Sequence, residues 1–156
     1  MRTSEELAGV KSLGSNKTSY ATTYDKTLLE KFANKYPDAD YLVQLDCPEF
    51  TSLCPKTGQP DFAKLAISYI PDKYLVESKS LKLYLFSFRN SGDFNEDIVN
   101  VIMTDLADLL APKYIEVVGR FYPRGGISIR PFANVAARDY LEFAMHRRLD
   151  YLRGDQ

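Results

Sequence analysis

The spacing of apolar residues changes along this 156-residue chain, and each spacing predicts an element. Alternating apolar and polar positions predict strands, because successive side chains of a strand point to opposite faces. Such a run occurs at 41–45, and strands are also predicted at 65–70, 114–121 and 126–132. Apolar positions three and four residues apart predict helices instead. That spacing occurs at 28–33, 97–110 and 138–152, and the last of these helices carries Leu141, Met145, Leu149 and Leu152 on one face.

Three segments need a separate interpretation. Residues 81–88 fit both patterns, so periodicity leaves a helix and a strand open there. Residues 46–62 hold three prolines and a glycine, which predict a long structured loop, and loops of that length in compact domains are usually functional. Residues 1–22 are polar and rich in small side chains, and they predict an irregular arm.

The predicted order is strand, strand, helix, helix, strand, strand. That order suits a four-stranded antiparallel sheet with two helices on one face, an α+β architecture. A Pro-Arg-Gly-Gly turn at 123–126 joins the last two strands. At 17.8 kDa the chain is expected to form one domain, residues 1–156, with its core at 38–132 and a helix at 138–152.

Composition excludes several classes of function. A net charge of −1 and a pI of about 5.9 give no global attraction to nucleic acid. No signal-like or membrane-spanning apolar run occurs, so a cytoplasmic protein is expected. Two cysteines are too few for a disulfide framework. With His146 as the single histidine and two separated cysteines, no zinc site is expected.

Cys54 is the first candidate for chemistry, inside the Pro-rich loop and directly before Pro55. A thiolate there could add to an electrophilic carbon and split one hard step into two easier ones. A free Cys is also often a buried structural residue, and no histidine lies near this one in sequence. The residues alone leave both interpretations open. Cys47, near a strand end, is interpreted as structural.

Asp61 follows Pro60, seven residues after Cys54. Its carboxyl group could transfer protons at a site, although an Asp beside a Pro is also ordinary turn chemistry. The run Asp93-Phe94-Asn95-Glu96 looks like a capping box that opens a helix at 97. Ser78, Lys79, Ser80 and Lys82 offer hydroxyls and positive charge, which suit either phosphate groups or a solvated face.

Taken together, Cys54-Pro55, Asp61 and the run Glu77-Ser78-Lys79-Ser80-Leu81-Lys82-Leu83-Tyr84 resemble the signature of the QueF nitrile reductase family, of the short unimodular type. These NADPH-dependent enzymes convert 7-cyano-7-deazaguanine to its aminomethyl form in queuosine tRNA modification. The resemblance covers roughly 38–132 and implies the tunnelling fold. It also implies that Cys54 is the nucleophile, through a thioimide, and that Asp61 is the proton donor.

The resemblance further implies a substrate site, a cofactor site and an assembly. Substrate contacts would come from Val76, Glu77, Ser78, Asn95 and Glu96, and a glutamate carboxylate can accept both N–H donors of a guanine-like edge. NADPH would be bound by Ser78, Lys79, Ser80 and Lys82, because no Gly-x-Gly-x-x-Gly follows a strand. The partner would be a small deazapurine, with no direct nucleic acid and no membrane. Copies would form a ring, as two stacked pentamers, with active sites between subunits.

One position departs from the family pattern, since Asn95 stands where the family usually carries a histidine. This leaves three functions open. The first is the nitrile reductase. The second is a related transferase that forms the thioimide and adds ammonia, although it would not need the 77–82 signature. The third is a variant impaired at Asn95 that traps substrate without efficient reduction.

Overall fold

The structure, a computed structural model, describes residues 20–154. Its strands are β1 (Lys31–Ala33), β2 (Val43–Leu53), β3 (Pro60–Ile70), β4 (Tyr74–Val76), β5 (Tyr114–Phe121) and β6 (Phe132–Ala136). Its helices are α1 (Ser78–Ser87), α2 (Asn95–Leu110) and α3 (Leu141–Arg153). Residues 1–19 of the predicted arm lie outside the described part of the chain.

The main sheet is antiparallel, with the strand order β2-β3-β5-β6. β3 pairs with β5 along nearly its whole length, from Ala63 opposite Phe121 to Ile70 opposite Tyr114. One face of this sheet forms the main core with α1 and α2, in which the fully buried side chains include Leu65, Ile67, Ile115, Val117, Ile98, Ile102 and Leu106. The predicted α+β architecture and the order of its six main elements are therefore confirmed.

The long loop predicted at 46–62 is wrong. β2 and β3 each have 11 residues, and only residues 54–59 connect them. Pro48 lies at a bulge, where the pairing register shifts between Cys47 and Phe50, and Pro60 is the first residue of β3. Both are places in a sheet where a residue without an N–H group is tolerated. These prolines therefore mark irregular points of two long strands.

The helix predicted at 28–33 is also wrong. Only a 3-10 turn forms, at Lys26–Leu28, and Phe32 then pairs with Leu75 between β1 and β4. Phe32 and Leu75 are more than forty residues apart in sequence, and their pairing between strands overrides the helical spacing of residues 28–33. β6 begins at Phe132, later than predicted, because residues 124–127 form the turn and Pro131 cannot donate to the ladder.

A buried carboxylate joins the N-terminal segment to both core helices. Asp105 on α2 accepts hydrogen bonds from the hydroxyls of Tyr24, at 2.7 Å, and Tyr84 on α1, at 2.6 Å. Burial and the bond to Asp105 raise the pKa of Tyr24 to about 12, and the same causes raise the pKa of Tyr84. Both tyrosines therefore remain neutral donors, and Asp105 fixes α1 against α2.

α3 lies on the opposite face of the sheet and is attached mainly by polar contacts. Arg147 donates to both oxygens of the buried Glu116 on β5, at 2.7 and 3.0 Å. Tyr114 donates to the same carboxylate at 2.6 Å. Between Tyr20 and Gly154, no helix combines the length and apolar character that crossing a membrane requires.

Replacing Asp105 with Ala should destabilise the fold by about 1–3 kcal/mol, because it leaves the hydroxyl of the fully buried Tyr84 without a partner. Urea unfolding measures this change. Asp108→Ala is the matched control, since Asp108 lies on the same helix and also faces Lys26, but its side chain is 66% exposed. Equal losses in the two variants would contradict the proposed role of the buried carboxylate.

Candidate active site

Cys54 directly follows β2, in the turn that connects it to β3. Its N–H donates to the Gln59 carbonyl at 2.8 Å, and its carbonyl accepts from the Gly58 N–H at 2.9 Å. Gly58 adopts a φ of 68°, a left-handed conformation that glycine takes without strain. The turn thus presents the thiol, which is partly exposed, from a hydrogen-bonded frame.

The turn also activates this thiol. Hydrogen bonds from the side chain and backbone of Thr57, from the backbone of Lys56 and from the side chain of Arg124 lower the pKa of Cys54 to about 6. Donors of this kind favour the thiolate over the thiol. Burial and the nearby Asp46 carboxylate instead raise the pKa of Cys47. Cys54 is therefore the cysteine that is a thiolate near neutral pH.

Asp61, the second residue of β3, is buried and forms an ion pair with Arg124. Arg124 lies in the turn that follows β5, where its N–H and the Ile127 carbonyl close the turn at 3.0 Å. Because the guanidinium interacts with both Asp61 and Cys54, one cation faces both predicted catalytic groups.

A pocket of about 320 Å³ brings these groups together. It is lined by residues from three separate parts of the chain: Cys54, Pro55, Asp61, Asp93, Phe94, Asn95, Glu96, Tyr122, Arg124, Ile127 and Ile129. The Leu53 N–H donates to the Ser91 carbonyl, and the Asp93 N–H donates to the Leu53 carbonyl. These backbone bonds hold the start of α2 against the end of β2. The site therefore contains the predicted pair Cys54 and Asp61 together with the predicted pair Asn95 and Glu96.

Unpartnered polar atoms gather at this pocket. Within residues 20–154, three buried side-chain nitrogen or oxygen atoms lack a hydrogen-bond partner, in Ser52, Asn95 and Arg124. Asn95 and Arg124 line the pocket, and Ser52 lies opposite Asp61 in the β2–β3 register. Buried polar groups in folded proteins are nearly always paired, so their concentration here is typical of a site that binds a polar ligand.

The predicted capping box at 93–96 does not form. α2 begins at Asn95 rather than at 97, and no side chain caps it. Asp93 accepts a hydrogen bond from the N–H of its neighbour Phe94 instead. The carboxylate of Glu96 makes no hydrogen bond or ion pair with another described residue, so it is free to meet a ligand.

The predicted binding residues of the 76–82 run lie outside the lining of this pocket. Val76 ends β4, and Glu77 caps α1 by accepting the backbone N–H groups of Lys79, at 2.9 Å, and Ser80, at 2.7 Å. These two bonds lower the pKa of Glu77. The hydroxyl of Ser80 is buried and bonds to the backbone of Glu77 and Glu30, whereas Ser78, Lys79 and Lys82 are exposed.

Sequence reasoning missed two residues of the site, Thr57 and Arg124. Thr57 lay in a segment predicted to be a loop, and Arg124 was interpreted as part of a hairpin turn. Each residue does lie in a turn, although most of the loop predicted at 46–62 is strand. The available signal for Thr57 was that its turn adjoins the strand that carries Asp61, whereas no predicted site residue lies on β5, the strand before Arg124.

Comparisons with known proteins agree with this geometry. The family described as "QueF-like protein" matches residues 60–140. A protein of Alkaliphilus metalliredigens named NADPH-dependent 7-cyano-7-deazaguanine reductase is 65% identical over 133 residues, which cover 85% of this chain and 80% of that protein. A protein of the same name from Bacillus licheniformis is 57% identical over 152 residues, 96% of this chain and 92% of the relative.

The chain belongs to the QueF family. Membership confirms the resemblance that Cys54-Pro55, Asp61 and the 77–84 run indicated. A crystal structure of the archaeosine synthase QueF-Like, in the apo form, superposes with a TM-score of 0.59 over 64% of this chain and 97% of that chain. At 20% identity this likeness shows the shared fold alone.

The two cysteines should differ in the pH at which they react. Alkylation of Cys54 by iodoacetamide should rise with pH around a midpoint of about 6, because its hydrogen bonds stabilise the thiolate. Cys47 should react only at a pH above that of an ordinary thiol, because burial raises its pKa. Peptide mass spectrometry after short exposures measures both. Thr57→Val should move the Cys54 midpoint upward, and coincident midpoints for the two cysteines would contradict this view of the site.

Proposed function

We propose that this chain reduces the nitrile of 7-cyano-7-deazaguanine to the aminomethyl group with NADPH, a step of queuosine tRNA modification. Family membership and the shared name of its relatives support this reaction. The observation that carries the proposal is a low-pKa thiol, Cys54, in one pocket with a buried carboxyl group, Asp61. A nitrile carbon is a modest electrophile, and it requires this kind of activated nucleophile.

The pocket offers groups that match a planar, polar heterocycle. The free carboxylate of Glu96 can accept two adjacent N–H donors, and the unpartnered Oδ1 of Asn95 can accept another. The exposed rings of Phe94 and Tyr122 can cover an aromatic face. A volume of about 320 Å³ lies at the lower end of the range for small-molecule sites, which suits a single fused ring system.

The covalent step then uses Cys54 and Asp61. The sulfur of Cys54 bonds to the nitrile carbon, one C–N π bond breaks, and the nitrogen gains the electron pair and a proton from Asp61. Because Cys54 is a thiolate near neutral pH, the thiol does not supply this proton, and Asp61 takes it up from solvent before passing it to the nitrogen. The product is a thioimide, and the step consumes one proton from solvent.

NADPH supplies the hydride equivalents, two molecules for each nitrile, since nitrile to amine takes four electrons. The exposed Ser78, Lys79 and Lys82 can hold its phosphates, because neither lysine forms a salt bridge with another described residue. The N–H groups of the first turn of α1 are already occupied by Glu77, so lysine side chains, not the helix terminus, must contact phosphate. The hydroxyl of Ser80 is hydrogen-bonded to the backbone of Glu30 and Glu77. Ser80 would therefore position the start of α1 and would not contact the cofactor.

The complete site requires more than one copy. The reactive pocket and residues 76–82 do not line a common cavity in one chain, so we propose that the pocket of one copy faces residues 76–82 of a neighbour. β2 and β6 are the edges of the main sheet, and unpaired edges favour pairing between copies. Such pairing supports a closed ring, and the resemblance to the family implies two stacked pentamers. The proposed nucleophile must stay a thiol, which supports a place in the reducing cytoplasm.

The reaction is tested by mixing purified protein, 7-cyano-7-deazaguanine and NADPH. We expect two NADPH oxidised for each amine formed. Without NADPH, the mass of the chain should increase by that of the substrate. Cys54→Ala should lose this mass increase and Cys47→Ala should keep it, because Cys47 lies outside the pocket. Product formed with ammonia and no NADPH would favour the transferase, and an adduct that survives in Cys54→Ala would remove the central step.

Asn95 should slow reduction without preventing capture. Its amide can hydrogen-bond but cannot exchange a proton near neutral pH, as an imidazole can. We expect Asn95→His to raise the single-turnover rate of adduct reduction by a factor of roughly 10²–10⁴, the usual scale for one acid–base group. The rate of adduct formation serves as the internal control and should change little. Equal reduction rates would mean that the residue at this position only orients the substrate.

A further inference from the structure

Ser52, near the end of β2, is a buried serine whose hydroxyl has no hydrogen-bond partner within residues 20–154. The residue is 0% exposed. Ser87 is equally buried, but its hydroxyl donates to the Tyr84 carbonyl at 2.6 Å and accepts from the Asp25 N–H at 3.1 Å. A buried hydroxyl without a partner costs stability, because it has lost its bonds to water. The hydroxyl of Ser52 therefore does not help to hold this state of the fold together.

The neighbour of Ser52 across the sheet is Asp61. The two residues pair directly in the β2–β3 register, so their side chains share one face of the sheet, with Cβ atoms about 4.5–5.5 Å apart. The next pair on that face, Phe50 and Ala63, belongs to the main core. Asp61 lines the reactive pocket, whereas Ser52 does not. Ser52 is thus placed to contact the carboxyl group and not a ligand in the pocket.

The carboxyl group of Asp61 needs a different partner once it carries a proton. Its Oδ2 forms the ion pair with Arg124, and its backbone carbonyl accepts from the Thr51 hydroxyl at 2.8 Å. A guanidinium has donors but no acceptor, and its attraction to a carboxyl group depends on the negative charge of that group. This attraction is lost when Asp61 takes up the proton that the proposed reaction requires. A hydroxyl is a neutral group and suits a neutral carboxylic acid.

We propose that Ser52 is a positioning residue for Asp61. When Asp61 is protonated, the Ser52 hydroxyl donates to one carboxyl oxygen, and the O–H on the other oxygen is thereby directed into the pocket. The terminal torsion of an aspartate is soft, so a rotation of the carboxyl group can make this bond without a change in the backbone.

This proposal rests on the proposed nitrile reduction and names the group that orients its acid. In the covalent step the Asp61 proton moves to the nitrile nitrogen while the sulfur of Cys54 bonds to the carbon. Ser52 keeps its own proton throughout, so the balance of the step is unchanged. The hydroxyl that has no partner in the resting site then gains one at the moment when the proton must be aimed.

Stability separates this role from a structural one. Ser52→Ala removes a hydroxyl without a partner, so it should not lower the Tm. Ser87→Ala is the matched control, because it breaks two hydrogen bonds of an equally buried serine and should lower the Tm. The control should leave the rate of adduct formation unchanged at temperatures well below its Tm, because Ser87 lies outside the reactive pocket.

A double-mutant cycle on adduct formation tests the proposal. Excess 7-cyano-7-deazaguanine is mixed with the chain without NADPH, and the mass increase is followed with time. We expect Ser52→Ala to lower the maximal rate by a factor of roughly 3–10, the scale of one hydrogen bond. The substrate concentration that gives half of this rate should not change. Adding Ser52→Ala to Asp61→Asn should cause no further slowing, because Ser52 acts through the Asp61 proton.

Each other outcome overturns a defined part of the argument. An unchanged rate in Ser52→Ala overturns the role of Ser52 and leaves the proposed reaction standing. Equal slowing with Asp61 and with Asn at this position would mean that Ser52 does not act through the acid, which also overturns it. A changed half-saturating concentration with an unchanged maximal rate would assign Ser52 to substrate binding instead. The absence of any adduct in the unaltered chain overturns the proposed reaction and the role of Ser52 together.

Discussion

The pairing of β3 with both of its neighbours is the constraint on which the site depends. On one side β3, which starts just after the Cys54 turn, aligns Asp61 with Ser52, and on the other it aligns Ala63 with Phe121. The first alignment sets the carboxyl group beside the thiol, and the second brings in Arg124 from the turn after β5. A shift of one residue in either register would turn every side chain of that strand to the opposite face.

The electrostatics of the pocket follow from this alignment. A buried carboxylate such as Asp61 needs a partner, and losing one side of a buried ion pair typically costs about 3–5 kcal/mol. Arg124 meets that need and also stabilises the Cys54 thiolate, so the same cation serves the fold and the chemistry. In contrast to the paired Asp61 carboxylate, Oδ1 of Asn95 and Nε of Arg124 are buried and have no hydrogen-bond partner within the described protein.

The two proposed functional regions of the chain differ in how they are built. The reactive pocket is assembled by strand pairing and by the backbone bonds between Leu53 and the start of α2. The 77–82 run is organised locally, with Glu77 capping the helix that carries Lys79 and Lys82. A locally organised charged helix can serve a site on another copy, because its geometry does not depend on the pocket it faces.

The sequence by itself determined the elements whose pattern is strong and local. The helix around 97–110 follows from periodicity, and the strands around 65–70 and 114–121 were also predicted from local sequence. The chemical set of Cys54, Asp61 and the 77–84 run was enough to indicate the family. Only the tertiary structure decided the lengths of β2 and β3, the pairing of Phe32 in β1, and the choice of helix for 81–88. It alone showed that Arg124 meets Asp61, and that the apolar row of α3 faces outward. The physical reason is that periodicity reports which side chains share a face, whereas the partner of that face is set by register between strands and helices distant in sequence.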